Sequence, residues 1–503
     1  MSEQQLSDQQ PVLSSTRYRR WRLHWLVLLS IVLAGCTPPP QIVVSAPPTT
    51  TRTPSPSVAP TLSPSITPSP SITPSPTPTA TLAQPTVTRL PVATARSETP
   101  TTTPTIDPER LTPVPTPTLA TLDQTRRTEL FDKVWQTVAD HYLYADFGGI
   151  NWVEIKQQYQ PRAVNAASSA EFYATLSEMI DELRDEHSRF EDPQTAFTQQ
   201  ALASGKDAYV GVGILSLEYD DGLLITTVFS NSPAAHAGLK RRDMIVAVDG
   251  QPVTGDGALP EIGGPVNTYV ELDIRSPGGA VRTVRLQRRP VLAQYVPEVY
   301  LLPQTRIGYV LVQSFWAQDM ADRVRTDVQA LLAANDGDLD GLIIDVRSNG
   351  GGWRSVLEGL LAHLVEGEVG GFYSQGKTYP LTITSSDLYS ALKDLPLVVL
   401  VDRETESYAE VFAAVLQATR NARVVGVNTA GNTETIYGYD FDDGSRLWVA
   451  QEGFKLPDGS NLEGRGVLPD RSISVDWMRF SEARDPHIVE AIQMIEQPTA
   501  GRD

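Results

Sequence analysis

The sequence predicts an α/β protein with a helical lead-in and a smaller β-rich module inserted ahead of its main sheet. From Ile307 onward, short apolar runs alternate with amphipathic stretches, the order expected of strands and crossover helices. Between residues 207 and 290 the pattern changes to short alternating strands separated by Gly-rich turns. Before that module, apolar residues recur at intervals of three and four, the period of a helix face. A chain of 503 residues is long enough for two or three such units, each with its own core.

Composition narrows the function classes. The formal charge of -19 argues against nucleic acid, because binding phosphates requires clustered Lys and Arg. Cys36 is the single cysteine, so an intramolecular disulfide is impossible and no Cys-based metal site can form. No metal-ligand spacing is visible either.

Residues 1–36 have the order of an export signal: Arg17, Arg19, Arg20 and Arg22 precede an apolar run that ends in Leu33-Ala34-Gly35-Cys36. The run is short for a membrane span, which needs about 20 apolar residues. Its end resembles a bacterial lipobox, making Cys36 the expected site of lipid attachment; an uncleaved single-span anchor is the alternative. Either way the bulk of the chain is expected outside the cytoplasm, anchored to the membrane. Residues 37–122 are rich in Pro, Thr and Ser and cannot bury a core. At about 3.1 Å per residue, this segment reads as an extended stalk.

Residues 123–203 read as the helical lead-in. Leu130, Phe131, Val134, Trp135, Val138 and Tyr142 form one apolar stripe, and Phe172, Leu176, Met179, Ile180 and Leu183 form another on a helix expected over 169–184. Asp185-Glu186-His187-Ser188 follows, so His187 should sit at a helix exit. Residues 207–290 contain Tyr209-Val210-Gly211-Val212-Gly213 and Ser232-Pro233-Ala234-Ala235-His236-Ala237-Gly238-Leu239, and this run resembles a PDZ domain. The resemblance implies a peptide-binding role for Tyr209, Val210, Gly211, Val212 and Gly213. The glycine N–H groups would cradle a terminal carboxylate, and the adjacent strand edge would accept the peptide as an added strand.

The core, residues 291–496, carries two strand ends of chemical interest, since reactive residues of α/β proteins collect on loops leaving the sheet. Asp345-Val346-Arg347-Ser348-Asn349-Gly350-Gly351-Gly352 could turn backbone N–H groups toward a ligand, as an oxyanion hole requires. In Thr405-Glu406-Ser407-Tyr408-Ala409-Glu410, a strand turns into a helix at Ser407. A hydroxyl there lies at the positive helix end, where it can act as a nucleophile or as an ordinary N-cap.

Taken together, Leu183-Arg184-Asp185-Glu186-His187-Ser188, the PDZ-like run, Ser314-Phe315, the Asp345 to Gly352 loop, the Ser407 turn and Glu463-Gly464-Arg465-Gly466-Val467-Leu468-Pro469-Asp470 resemble family S41, the carboxyl-terminal processing or tail-specific serine peptidases. The resemblance implies an α/β core of the ClpP/crotonase kind, with Ser407 as nucleophile and an oxyanion hole from Tyr408 with Gly350 or Gly351. It implies no cofactor, unfolded or tail-exposed protein substrates, and relatives that assemble as dimers or rings, so a homo-oligomer is compatible with it.

One departure matters. The processing branch of the family places a lysine 25 residues after the serine, and here that position is Asn432, which cannot serve as a base. The related tricorn-type proteases use Ser, His and Glu, which points to His187 as base and Glu463 as its acid, with Glu434 as the rival acid. An imidazole suits proton abstraction near neutral pH. A PDZ-bearing scaffold that binds peptides without cutting them is the competing expectation.

Overall fold

The computed structural model describes residues 117–497, apart from 186, 205–207, 220 and 254–260. Cys36, the signal-like segment and residues 37–116 of the stalk lie outside the described residues, whereas Leu119 and Leu122, read as stalk, pack against the lead-in core. Among those described, no helix is long and apolar enough to cross a membrane.

The lead-in packs α1 (Gln124–His141), α2 (Trp152–Val164) and α3 (Ser169–Asp181), followed by β1 (Arg189–Glu191) and α4 (Pro193–Ser204). Asp123, Asn151 and Ser168 cap the first three helices by accepting N–H groups of the first turn. Phe131, Val134, Val138, Phe172, Leu176 and Met179 meet in one core, which β1 and a distant strand complete through Phe190 and Leu447. Helix α3 stops at Asp181, short of the predicted end, because the chain turns at residues 182–183 and Arg184 takes a left-handed φ of 58°.

The inserted module contains β2 (Ala208–Gly211), β3 (Ile214–Tyr219), β4 (Gly222–Val228), α5 (Pro233–His236), β5 (Met244–Val248), β6 (Gln251–Pro252), β7 (Tyr269–Arg275), β8 (Val281–Gln287) and β9 (Arg289–Leu292). Strands run β3-β4-β5-β7-β8, with β6 on β5, around Ile225, Ile245, Val270, Leu272 and Ile274. The pair β2–β9 forms a separate two-stranded neck where the chain enters and leaves.

The core contains β10 (Glu298–Leu301), β11 (Ile307–Leu311), α6 (Met320–Ala334), β12 (Gly341–Asp345), α7 (Arg354–Leu361), β13 (Gly367–Ser374), β14 (Lys377–Ile383), α8 (Tyr389–Leu392), β15 (Leu397–Val401), α9 (Tyr408–Arg420), β16 (Arg423–Gly426), β17 (Thr435–Asp440), β18 (Arg446–Lys455), β19 (Arg471–Ser472) and α10 (Pro486–Glu496). The main sheet is ordered β10-β11-β12-β15-β16-β19, parallel except for β10 on β11. Strands β11, β12 and β15 are buried along their whole length, consistent with cover on both faces. A second, antiparallel sheet, β1-β18-β13-β14 with β17 on β18, joins the lead-in to the core.

Candidate active site

The loop after β12 is fixed from below by a buried ionic cluster. Arg347 has no solvent exposure and donates to both oxygens of Asp345, at 2.8 and 2.7 Å, and to Asp485 Oδ2 at 2.9 Å. Tyr309 donates its hydroxyl to Asp345 Oδ2 at 2.6 Å. Burial opposes ionisation of Asp345, yet the adjacent guanidinium outweighs it and holds the carboxyl well below the usual range. Asn349 Nδ2 reaches Val312 O, and Ser348 N–H reaches Asp402 Oδ1, so the loop is tied to both neighbouring strands.

Ser407 sits where β15 turns into α9, with φ 56° and ψ -129°. A positive φ at a residue bearing a Cβ costs about 1–3 kcal/mol and persists only where the surroundings over-determine it. They do so here, because Ser407 N–H is held by Asn432 O at 2.8 Å and by Glu410 Oε2 at 3.2 Å. The serine occupies the N-cap position of α9, where Glu410 closes a capping box by accepting its backbone N–H. Gly351 lies directly against it: a Cβ there would stand 2.7 Å from Ser407 Cβ and 3.0 Å from Tyr408 N.

Glu410 is the residue the sequence reading missed. It is fully buried and accepts hydrogen bonds from Gly431 N–H at 2.7 Å, Asn432 N–H at 2.8 Å, Thr429 Oγ1 at 2.5 Å and Ser407 N–H. Burial pushes its carboxyl up to about 7 against the pull of those donors. The Ser-x-x-Glu spacing at the start of a helix carried the signal for it.

The expectation for Gly351 needs correcting. Its N–H is taken by Asn349 Oδ1 at 2.9 Å, an Asx turn closed across Gly350. Gly350, which is exposed, is the glycine left to offer an N–H alongside Tyr408, whose position at the head of α9 leaves its N–H without an intrahelical acceptor.

His187, Glu434 and Glu463 converge although they come from three distant segments, with ligand-capable atoms all within 4.8 Å of one another. Sequence spacing could not reveal this, and the expectation of no metal-competent grouping is corrected to that extent. His187 is buried, and its Nε2 accepts Glu434 N–H at 3.2 Å and lies 4.0 Å from Glu463 Oε2. Burial pushes the imidazole down to about 4, with Asp185 opposing, so it is neutral near pH 7. Glu463 Oε2 accepts Thr433 N–H at 2.7 Å and Thr433 Oγ1 at 3.1 Å. Glu434 Oε1 accepts the Tyr144 hydroxyl, and burial pushes its carboxyl up to about 8.

Three consecutive residues therefore join the candidate groups: Asn432 O holds Ser407, Thr433 N–H holds Glu463, and Glu434 N–H holds His187. Among the described residues, however, no hydrogen bond joins Ser407 Oγ to His187. The direct pairing expected from the sequence is not formed; His187 Nε2 instead accepts Glu434 N–H.

In the inserted module, Tyr209, Val210 and Gly211 lie in β2 and pair with Val291, Pro290 and Arg289 of β9. Val212 is buried, and Gly213, at φ 86°, packs against Ser232. The five-stranded path ends in two strands with one neighbour each, β3 beside β4 and β8 beside β7. Tyr209–Gly211, the expected peptide contacts, are thus already paired along one side by β9.

Comparisons with known proteins match three segments of the chain. Residues 306–473 match the model of peptidase family S41, residues 123–181 the Tricorn protease C1 domain, and residues 224–288 the PDZ domain. The chain is 28% identical over 397 residues to a carboxyl-terminal-processing protease of Synechocystis sp., covering 76% of this chain and 90% of that protein. It is 26% identical over 311 residues to a probable CtpA-like serine protease of Staphylococcus aureus, covering 61% and 60%. A solved photosystem II D1 C-terminal processing protease aligns with a TM-score of 0.50 at 26% identity, covering 70% of this chain and 94% of that one. The chain is thus a serine peptidase built on a family S41 domain, with a Tricorn C1 segment and a PDZ domain ahead of it.

Proposed function

We propose that the chain is an endopeptidase that cleaves unfolded or tail-exposed proteins outside the cytoplasmic membrane through an acyl-enzyme on Ser407. The observation that carries the reading is the 432–434 segment, whose backbone holds Ser407, Glu463 and His187 through successive residues. In this reading Ser407 Oγ attacks the scissile carbonyl carbon while His187, neutral at working pH, takes the hydroxyl proton and passes it to the leaving amine. Glu463 Oε2 lies 4.0 Å from the same Nε2 that accepts Glu434 N–H, so for Glu463 to orient the imidazole the ring must turn its other nitrogen toward Ser407. The oxyanion meets Tyr408 N–H at the head of α9 together with Gly350 N–H, and water then hydrolyses the acyl ester. Formation of the Ser407–His187 contact requires the ring to give up Glu434 N–H, a rearrangement that substrate binding would drive.

A strand of the PDZ domain with one neighbour, β3 or β8, supports capture of an extended C-terminus by strand addition. The processing role printed in the relatives' names favours tails as substrates. Export and lipid attachment at Cys36 belong to the same proposal and rest on the signal-like first 36 residues.

The test is cleavage of an unfolded reporter with a short apolar tail by wild type, Ser407→Ala, His187→Ala and Asn432→Lys. Cutting by wild type that both alanine variants abolish is the expected result. A second reading, a peptide-binding scaffold without turnover, is favoured by Asn432 at the lysine position and by the unmade Ser407–His187 bond. An inert wild type that Asn432→Lys revives would establish it instead.

A further inference from the structure

The proposed mechanism uses one carboxylate beside His187, yet two are present. Glu434 is 2% exposed, its Oε1 accepts the Tyr144 hydroxyl, and its Oε2 is buried without a hydrogen-bond partner. A buried carboxylate oxygen with nothing donating to it is costly and needs a proton or a cation. Glu463 Oε2 lies 4.0 Å from His187 Nε2, and one ligand-capable atom from each of the three side chains falls within 4.8 Å of the other two.

We infer that His187, Glu434 and Glu463 form a binding site for one divalent cation of the zinc type, and that its occupancy withholds the imidazole from Ser407. Imidazole nitrogen and carboxylate oxygen are both zinc donors, and three protein ligands leave a fourth position open. The nitrogen donor disfavours calcium and magnesium, which take oxygen ligands. Two carboxylates neutralise a divalent charge. Ligand distances of about 2.0–2.2 Å bring the donor atoms closer than they stand now. Glu463, 24% exposed on its side chain, has the freedom to close that gap. The cation must displace Glu434 N–H from Nε2 and compete with Thr433 for Glu463 Oε2, which sets its affinity below that of a dedicated structural site.

Cation binding stands apart from the peptidase reading; only the loss of turnover rests on it. The experiment uses the full chain as Ser407→Ala, stripped with a chelator and titrated with cobalt(II) chloride. Visible d–d bands of a low-coordinate cobalt site should saturate at one equivalent and be displaced by zinc. Glu434→Gln and His187→Ala should each weaken binding by about tenfold or more. Circular dichroism checks their folding, and Glu463→Gln replaces any variant that does not fold. Absence of the bands, or an affinity that neither variant changes, overturns the site. In a parallel arm, zinc should inhibit wild-type cleavage of the unfolded reporter and a chelator should restore it; binding without inhibition overturns the link to turnover. Cobalt binding with an inert metal-free wild type would leave the site standing and sink the peptidase reading, whereas cleavage without cobalt binding would do the reverse.

Discussion

The two halves of the candidate site are built to different standards of completion. On the serine side, Ser407 N–H has two acceptors, Glu410 has four donors, and the neighbouring loop rests on the Arg347 cluster. On the histidine side, Glu434 Oε2 and Asn432 Oδ1 are buried without partners, and His187 spends its ring nitrogen on a backbone N–H. A satisfied network holds one geometry, whereas unsatisfied oxygens mark a place where another arrangement, a proton or a ligand completes the structure. The serine side is therefore satisfied as it stands, and the histidine side is where buried polar groups remain open.

The largest expected effect is on turnover. If His187 supplies the base, His187→Ala should lower kcat/KM by about 10²–10⁴-fold. A serine-directed phosphonate should still label Ser407 slowly, because the elbow and its N–H donors do not depend on the imidazole. Labelling lost as completely as in Ser407→Ala would break the claim that the serine side stands alone.

Next in size, Arg347→Met leaves Asp345 and Asp485 buried without their shared cation and should cost about 3–5 kcal/mol, read from the urea midpoint. A loss below about 1 kcal/mol would mean that the cluster does not hold the loop. Glu410→Ala strands several donors at once and should cost about 2–3 kcal/mol, whereas Glu434→Gln, with one donor at stake, should stay within about 1 kcal/mol. Equal costs would erase the contrast between the two sides.

The smallest effect is a pH dependence on the serine side. Burial, with Asp402 adding to it, pushes Glu404 up to about 7, so the native state holds this proton more tightly than the unfolded chain does. Its contribution to stability is present at acid pH and is lost as pH rises through about 7. Relative to wild type, Glu404→Gln should flatten the fall in thermal midpoint between about pH 5 and pH 8. An unchanged profile would place the titration elsewhere.

Much of this architecture was legible in the sequence, for reasons that differ by region. Strands β12, β15 and β16 announce themselves because burial on both faces demands near-continuous apolar runs, as in Leu397-Val398-Val399-Leu400-Val401. The second sheet was not seen. Strand β13 carries three glycines, β14 is largely exposed, and β17 and β18 alternate weakly, so their pairing depends on partners far away in the chain. Helix α2 escaped because Pro161 lies inside it and few of its residues are buried. At the site, residue types and order pointed to Ser407, His187 and the two glutamates. What the sequence could not carry was the backbone wiring: that Gly351 turns its N–H inward, and that 432–434 binds all three groups, are results of long-range turns rather than of side-chain identity.

One further feature bears on the PDZ domain. Arg241 and Arg242, in the turn before β5, reach into the core: Arg242 pairs with Asp485 at 2.9 Å, and Arg241 donates to Arg347 O at 3.1 Å. Both guanidinium groups, with that of Arg347, lie over the Trp477 ring, whose Nε1–H is given to Asp402. Asp402 in turn holds Ser348 of the loop beside Ser407. The turn before β5 and the loop beside Ser407 are thus joined by a continuous chain of ionic, ring and hydrogen-bond contacts. Were a peptide on the domain to favour this docked arrangement, reciprocity would require a ligand at Ser407 to favour peptide binding by the same factor.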